Sequence, residues 1–112
     1  MRDRIKELDW KIFRRVHQAA LERFCDNVLK ETQYFATDRE ASSHKRYLEI
    51  YKRVHERDDE LAEQFNGMSQ SKALLRLVGL RFRGLVTDAE FAEFSEELRT
   101  EVEQILRIGE MT

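Results

Sequence analysis

The chain has 112 residues, 41% of them hydrophobic and 38% charged, with a net charge of −2. That length fits one domain, and we expect a single helical domain over residues 1–112. There is no proline and there are four glycines, so the chain lacks the turn residues that a β-sandwich or barrel requires. These features exclude disordered and all-β classes and indicate an all-α fold with a large solvated surface.

Cysteine usage and hydropathy indicate a cellular setting. Cys25 is the one cysteine and cannot form an internal disulfide, which favours a reducing compartment. The first residues, Met1-Arg2-Asp3-Arg4, are not followed by the apolar segment of a secretory signal. No apolar run is long enough to cross a membrane, so we expect a cytoplasmic protein without membrane contact.

The first predicted helix begins near Asp3 or Asp9, either of which could cap it, and ends at residues 32–35. Phe13, Val16, Ala20 and Phe24 recur at helical spacing. The apolar arc around them covers close to half of the circumference. An arc of that width predicts contact with two neighbouring helices or with a partner chain.

The second predicted helix follows a connection over residues 36–43 and has two candidate starts. Thr37 with Glu40 has the spacing of a capping box, whereas Ser42 or Ser43 would begin the helix later, and we favour the later start. Asn66-Gly67 is typical of a left-handed helix end. The apolar face of this helix contains Tyr47, Tyr51, Val54, Leu61 and Phe65.

The third predicted helix covers residues 73–82, with Ser69 or Ser71 as its cap. Apolar residues cover more than half of its circumference, so we expect it to be the most buried helix. Gly84 can end it.

Residues 86–91 carry the sharpest local signal in the chain. Thr87 and Glu90 have capping-box spacing, and Val86 and Phe91 stand where a hydrophobic staple requires them. A fourth helix is therefore expected from Thr87 to Gly109. The complete prediction is an up-and-down bundle of four helices with a short, buried third helix. Its core is predicted to consist of Phe13, Val16, Ala20, Phe24, Tyr51, Val54, Leu61, Phe65, Leu74, Leu77, Val78, Phe91, Leu98, Val102 and Ile105.

The stretch from Leu74 to Leu98 resembles a short helical-hairpin module called SHOCT. Leucines at positions 74, 77 and 80 precede the segment Gly84-Leu85-Val86-Thr87-Asp88-Ala89-Glu90-Phe91. The following stretch, Ala92–Leu98, lacks the lysine-rich character that the module often shows. The resemblance covers about a quarter of the chain and implies an oligomerisation or interaction element rather than an enzyme.

The sequence contains none of the residue patterns that mark a metal site, a phosphate-binding loop or a catalytic nucleophile. The residues three before His17, His44 and His55 are not glutamates, so the Glu-x-x-His pairs of di-iron bundles do not occur. There are no paired cysteines and no glycine-rich phosphate loop. Cys25 has no catalytic signature around it, and we read it as a small apolar group. We therefore predict no catalytic, cofactor-binding or metal-binding residues, and no cofactor.

Three ionisable residues fall on apolar helix faces. Asp58 lies between Val54 and Leu61, Arg81 lies within the third helix, and His17 lies beside Phe13. A lone buried charge costs several kcal/mol, so each should be paired or reach water. We therefore hypothesise that Asp58 pairs with His17 or Arg81.

Charge along the C-terminal half of the chain opposes nucleic-acid binding. Residues 68–87 carry four basic and no acidic side chains, whereas residues 88–112 carry two basic and eight acidic ones. An acidic fourth helix would be repelled by phosphates in a groove. Only Lys72, Arg76 and Arg83 could serve a nucleic-acid contact.

The sequence favours a non-enzymatic helical module for protein–protein interaction or regulation. Apolar helix surface that the chain's own helices leave uncovered would bind a protein partner or a second copy of the chain, which would form a homodimer. Two alternatives stay open. One is a small ligand-binding or enzymatic bundle with a polar pocket near His17, Asp58 and Arg81. The other is a nucleic-acid-associated regulator.

Overall fold

The structure is a computed structural model, and it describes residues 4–111. This part of the chain is helical and contains no strand, which confirms the all-α prediction. There are five helices over this range: α1 (Glu7–Ala36), α2 (Ser43–Phe65), α3 (Ala73–Phe82), α4 (Asp88–Phe91) and α5 (Glu96–Met111). They divide into two compact units, the first formed by residues 4–21 and 67–111 and the second by residues 22–66. The single domain and the up-and-down bundle order stay predictions.

The first unit holds most of the apolar core. Its buried residues come from the start of the chain, from α3 and from the segment that includes α4 and α5, and α3 packs closely against α5. The apolar members are Ile5, Phe13, Val16, Ala20, Ala73, Leu74, Leu77, Leu80, Leu85, Val86, Phe91, Phe94, Leu98 and Val102. Gln70 adds a polar tie, since its side-chain amide donates to the carbonyl of Ile5 at 2.8 Å.

The start of α1 differs from the expected one. Asp3 lies outside the described residues, and α1 begins at Glu7, so Asp9 is inside the first turn rather than at the cap. Its carboxylate is buried and accepts hydrogen bonds from the backbone N–H of Ser95 at 2.8 Å and from its hydroxyl at 2.6 Å. Asp9 therefore contacts the start of α5 instead of capping α1.

Ser95 explains why the predicted fourth helix is two helices. Its hydroxyl accepts the backbone N–H of Leu98 at 3.2 Å, which makes it the N-cap of α5. The chain leaves α4 through tight turns in which Glu93 and Phe94 donate to carbonyls three residues back. The carboxylate of Asp9 stabilises the positive end of the new helix. The helix expected from Thr87 to Gly109 is therefore interrupted at residues 92–95.

The turn between α3 and α4 confirms the local prediction. Gly84 has a φ of 75°, and the N–H groups of Leu85 and Gly84 donate to the carbonyls of Leu80 and Arg81. This pattern is a Schellman motif. Thr87 and Glu90 then form the reciprocal bonds of a capping box.

The beginning of α3 does not follow the expectation. Lys72 occupies its N-cap and makes no side-chain capping bond, so the prediction of Ser69 or Ser71 was wrong. The two serine hydroxyls lie 3.2 Å apart and bond to each other. The helix is short as predicted, with Ala73, Leu74, Leu77 and Leu80 buried, but Leu75 and Phe82 point to solvent.

The second unit is a helical hairpin made by the C-terminal half of α1 and by α2. The later start of α2 is confirmed, because Ser42 is its N-cap and accepts the N–H of Lys45. Its end is also confirmed, with Gly67 at a φ of 66°. Phe24, Gln64 and Phe65 are the buried residues of this hairpin, so its core is small.

The predicted core is wrong at two positions of α2. Tyr51 and Val54 are exposed, at 64% and 44% of their surface. Leu61, Val78 and Ile105 are half-buried. The remaining ten members of the predicted core are buried.

Replacing Asp9 tests the buried tie to α5. We expect Asp9→Ala to lower the free energy of unfolding by about 2–4 kcal/mol, because two donors of Ser95 lose a charged acceptor inside the core. Urea denaturation followed by circular dichroism measures this change. Asp26→Ala, which removes an exposed carboxylate paired with Lys30, should cost less than about 1 kcal/mol. Equal effects of the two substitutions would contradict the assigned role of Asp9.

Gly84 tests the turn before α4. Gly84→Ala should destabilise the protein by about 1–2 kcal/mol, since a Cβ at positive φ is strained although no atom lies within 4 Å of it. Gly109 provides a matched control, because it is helical and its Cβ would also meet open space. Gly109→Ala should be neutral or stabilising by up to about 1 kcal/mol. Thermal unfolding of both variants checks the difference, and a neutral Gly84→Ala would refute the strain argument.

Candidate functional site

The middle of the hairpin is joined by an ion pair between its two helices. Nε and Nη2 of Arg57 on α2 donate to the two carboxylate oxygens of Glu31 on α1, each at 3.2 Å. Nη1 of Arg57 donates to Glu60 on its own helix at 3.0 Å. The hydrogen bond to Glu31 raises the pKa of Arg57, so this guanidinium stays charged throughout the accessible pH range. Two parallel bonds fix the geometry better than a single charge contact does.

Two further arginines of α2 also contact α1. The guanidinium of Arg46 donates to the carbonyl of Ala36, close to the turn of the hairpin. The guanidinium of Arg53 stacks over the ring of Phe35, 5.1 Å from its centroid. We call Arg46, Arg53 and Arg57 the arginine edge of α2. Their spacing of seven and four residues places them on one stripe of the helix.

Because the arginine edge faces α1, it fixes the rotation of α2 and therefore the direction in which its apolar residues point. Tyr47 and Val54 each follow an arginine of that edge by one residue, which rotates them by about 100° around the helix axis. Tyr51 lies between them on the same side. Tyr47 and Tyr51 are both about 65% exposed. The most apolar stripe of α2 thus lies beside the contact with α1 and faces solvent.

An apolar groove continues this stripe across to α1. It has a volume of about 240 Å³ and lies between the two helices of the hairpin. Val54 lines both this groove and a shallow apolar depression formed with Tyr47, Ile50 and Tyr51. We call the joined surface the hairpin face. Its apolar residues are Phe24, Cys25, Val28, Leu29, Tyr47, Ile50, Tyr51, Val54 and Leu61.

The three ionisable residues singled out in the sequence lie in different surroundings. His17 packs its ring against Phe13 of the first unit, with centroids 5.4 Å apart. Asp58 is exposed in the second unit, where it lines the groove of the hairpin face together with Arg57.

Arg81 has structural partners within the first unit. It donates to the carbonyl of Val86 at 2.9 Å and to the carboxylate of Asp88 at 2.6 Å, and it stacks over the ring of Phe91. It therefore spans the turn that joins α3 to α4. The sequence hypothesis named Asp58 as the partner of Arg81, whereas the ion pair of Arg81 in the structure is with Asp88, seven residues further along the chain.

The other kinds of site that the sequence raised concern metals, membranes and nucleic acids. Among the residues that the structure describes, no three His, Cys, Asp or Glu side chains come together as a metal site. None of the described helices combines the length and the apolar character needed to cross a bilayer. The three basic candidates for nucleic-acid contact stand along α3, with Lys72 and Arg83 at its two caps and Arg76 inside it.

Comparison with known proteins gives no match, whether with protein-family models, with curated proteins or with solved structures. The resemblance of residues 74–98 to SHOCT therefore stays a prediction. Any functional conclusion depends on the geometry of this chain.

The ion pair of the arginine edge can be measured by a double-mutant cycle. We expect Arg57→Ala and Glu31→Ala to couple by about 1 kcal/mol in the free energy of unfolding, because the pair is half-buried and doubly bonded. The exposed pair of Lys30 and Asp26 should couple by only about 0.3–0.5 kcal/mol. Urea titrations of the two cycles provide the comparison. A coupling of Arg57 and Glu31 no larger than that of the control pair would show that the edge does not hold the hairpin.

Proposed function

We propose that this chain is a non-enzymatic helical module for protein–protein interaction, and that the hairpin face binds the partner. The observation that carries the proposal is the continuity of that face. Val54 joins an apolar groove to the exposed stripe of Tyr47 and Tyr51, so the apolar surface extends over both helices of the hairpin.

The composition of the hairpin face supports a protein partner. Monomeric proteins seldom expose a connected apolar patch, and tyrosine is enriched where interfaces form. Six of the ten large hydrophobic residues that are exposed in the described chain belong to this one hairpin. They are Leu29, Tyr34, Tyr47, Leu48, Tyr51 and Val54, and four of them, Leu29, Tyr47, Tyr51 and Val54, lie on the hairpin face.

The energetics of the hairpin support the same conclusion. A helix in a protein gains most of its stability by packing its apolar face. The hairpin buries Phe24 and Phe65 against each other, with ring centroids 5.8 Å apart, and leaves the apolar stripe of α2 in water. A bound helix would bury that stripe and complete the packing.

The shape of the groove favours a protein over a small ligand. The groove of about 240 Å³ is below the range of roughly 300–1,000 Å³ in which small-molecule pockets fall, and the adjoining depression of about 310 Å³ is an open apolar surface rather than an enclosed cavity. The polar lining residues of the groove are Arg57 and Asp58, and Arg57 is already bound to Glu31. Arg81, which the ligand-binding alternative also needs, is held by Asp88 and Val86. These contacts favour the interaction module over the pocket.

The proposal includes the finer predictions made from the sequence. We infer a cytoplasmic location from the single, unpaired cysteine. We also keep the single helical domain over residues 1–112 and the up-and-down order of its helices as part of the same proposal.

A photo-crosslinking amino acid at position 51 tests the proposal in cells of the source organism. Tyr51 lies on the hairpin face, whereas Tyr34 is equally exposed but stands about 140° around α1 from Leu29. We expect a crosslinked protein adduct from position 51 and little or none from position 34. The adduct should disappear when Val54→Glu is added, since a carboxylate in the middle of an apolar contact is costly to desolvate.

The mass of the adduct identifies the kind of partner. Both a self-adduct and an adduct with another protein support an interaction module. Equal labelling at positions 51 and 34, or no adduct at position 51, would refute the proposed function.

A further inference from the structure

One carboxylate lies on the hairpin face without a partner among the described residues. Asp58 stands one helical turn beyond Val54 on the apolar stripe of α2, and it lines the groove. Within residues 4–111 its side chain forms neither a hydrogen bond nor a salt bridge. A partner that covered the face with apolar side chains alone would bury this charge unpaired, which is strongly unfavourable.

The guanidinium beside Asp58 does not neutralise it. Arg57 also lines the groove, but its nitrogens donate to the carboxylates of Glu31 and Glu60. One positive charge is thus already bound by two carboxylates, and Asp58 adds a further negative charge at the same groove. The centre of the hairpin face is therefore net negative.

A second carboxylate extends the negative charge along α1. Glu22 is exposed and stands seven residues before Leu29, which places it about 20° from that groove residue around the axis of α1. Asp58 follows Arg57, the partner of Glu31, so it lies level with about residue 30 of α1. Glu22 is therefore roughly 12 Å from Asp58 along the hairpin, at the end away from the turn.

The opposite end of the hairpin face is aromatic. Tyr47 and Tyr51 lie on the apolar stripe between Val54 and the turn of the hairpin, and the arginines of this half of α2 bind α1. Lys45 and Lys52 stand about 160–180° around α2 from Val54, so they do not border the face. The hairpin face thus has an aromatic end and an acidic end.

The backbone of the hairpin limits the shape of the partner. Both helices use their backbone N–H and carbonyl groups internally, so the face offers no sheet edge to an extended peptide. A helix satisfies its own backbone and lays only side chains on the face. The face extends over fourteen residues of α2, from Tyr47 to Leu61. That length is roughly 21 Å, which a partner helix of about four turns covers.

We propose that the hairpin face binds a basic amphipathic helix of another protein, with a lysine or arginine of that helix on Asp58. This inference rests on the proposed function and names the chemistry of the partner. Apolar residues of the bound helix, spaced by three and four positions, pack on Val54 and the two tyrosines. Its basic residues lie at the acidic end of the face, where Asp58 and Glu22 attract them.

Charge complementarity selects this occupant over two others. An acidic helix would set like charges together in an apolar contact, where water screens them poorly. A second copy docked by the same face would bring another Asp58. Among the described residues that line the face, the one cation is Arg57, which Glu31 and Glu60 already bind. Such a copy would therefore supply no free positive charge.

Two stapled helical peptides of about sixteen residues test the charge preference. Both carry the same stripe of leucines, and they differ at two positions beside it, which are lysines in the basic peptide and glutamates in the acidic one. The staple keeps so short a helix folded in water. We expect the basic peptide to bind the full chain at least about tenfold more tightly than the acidic one. Fluorescence anisotropy measures both dissociation constants.

Reversing the charge of Asp58 provides the sharpest comparison. Asp58→Lys should invert the preference, so that the acidic peptide binds at least about threefold more tightly than the basic one. Asp59→Lys is the matched control, since it changes the charge equally at the next exposed residue, about 140° around α2 from Val54. It should keep the wild-type preference within about twofold. Far-UV circular dichroism checks that both variants remain helical.

A third variant locates the binding on the hairpin face. Tyr51→Ala shortens an exposed side chain at the aromatic end, away from both carboxylates. We expect it to weaken both peptides at least about fivefold without changing the ratio of their affinities, because tyrosines contribute strongly to contacts of this kind. Unchanged affinities would place the binding elsewhere and overturn the inference.

The outcomes separate this inference from the proposed function. Equal affinities of the two peptides, no binding of the basic peptide at about 1 mM, or a preference that Asp58→Lys leaves unchanged would each overturn the basic helix as occupant. Loss of the crosslink from position 51 in Asp58→Lys, but not in Asp59→Lys, supports it. If the crosslink persists in Asp58→Lys, or joins two copies of this chain, the interaction module stands and only its partner has been misassigned.

Discussion

Arginines hold the contact between α1 and α2 along its middle and near the turn, whereas Phe24 and Phe65 pack against each other at its other end. Arg57 reaches Glu31, Arg46 reaches the carbonyl of Ala36, and Arg53 covers a ring of α1. Long guanidinium side chains can hold two helices together while their stems cover apolar surface. Because this edge of α2 faces α1, the adjoining stripe of Tyr47 and Tyr51 is left on the outside. The hairpin exposes apolar surface because α2 contacts α1 through its arginine edge rather than through its apolar stripe.

The first unit is organised in the opposite way, since its ionisable residues inside the core complete the fold. Asp9 stabilises the start of α5 through Ser95, and Arg81 connects the two sides of the turn at Gly84. Most of the buried apolar residues of the described chain belong to this unit. Two of the three polar groups that the sequence suggested as a site, His17 and Arg81, thus have structural partners in the first unit.

Local hydrogen bonds made the turns predictable from the sequence. The edge of α2 that packs against α1 could not be predicted in this way. Gly84, Thr87 and Ser42 act through bonds within a few residues, so their patterns could be recognised in the sequence. The Asp9–Ser95 tie spans 86 residues and has no local pattern, although Ser95 followed by two glutamates is a capping signal that was available. Tyr51 was misplaced because amphipathic reasoning assumes that the most apolar face packs against its own chain.

Hydroxyl-radical footprinting of the tyrosines tests the central claim most directly. The chain has three tyrosines, Tyr34, Tyr47 and Tyr51, and all three are exposed in the structure. In a solution dilute enough to contain only monomers, the account predicts that Tyr47 and Tyr51 are modified as fast as Tyr34. Strong protection of Tyr47 and Tyr51 in that monomer, with Tyr34 still reactive, would show that the chain covers this face itself and would contradict the account.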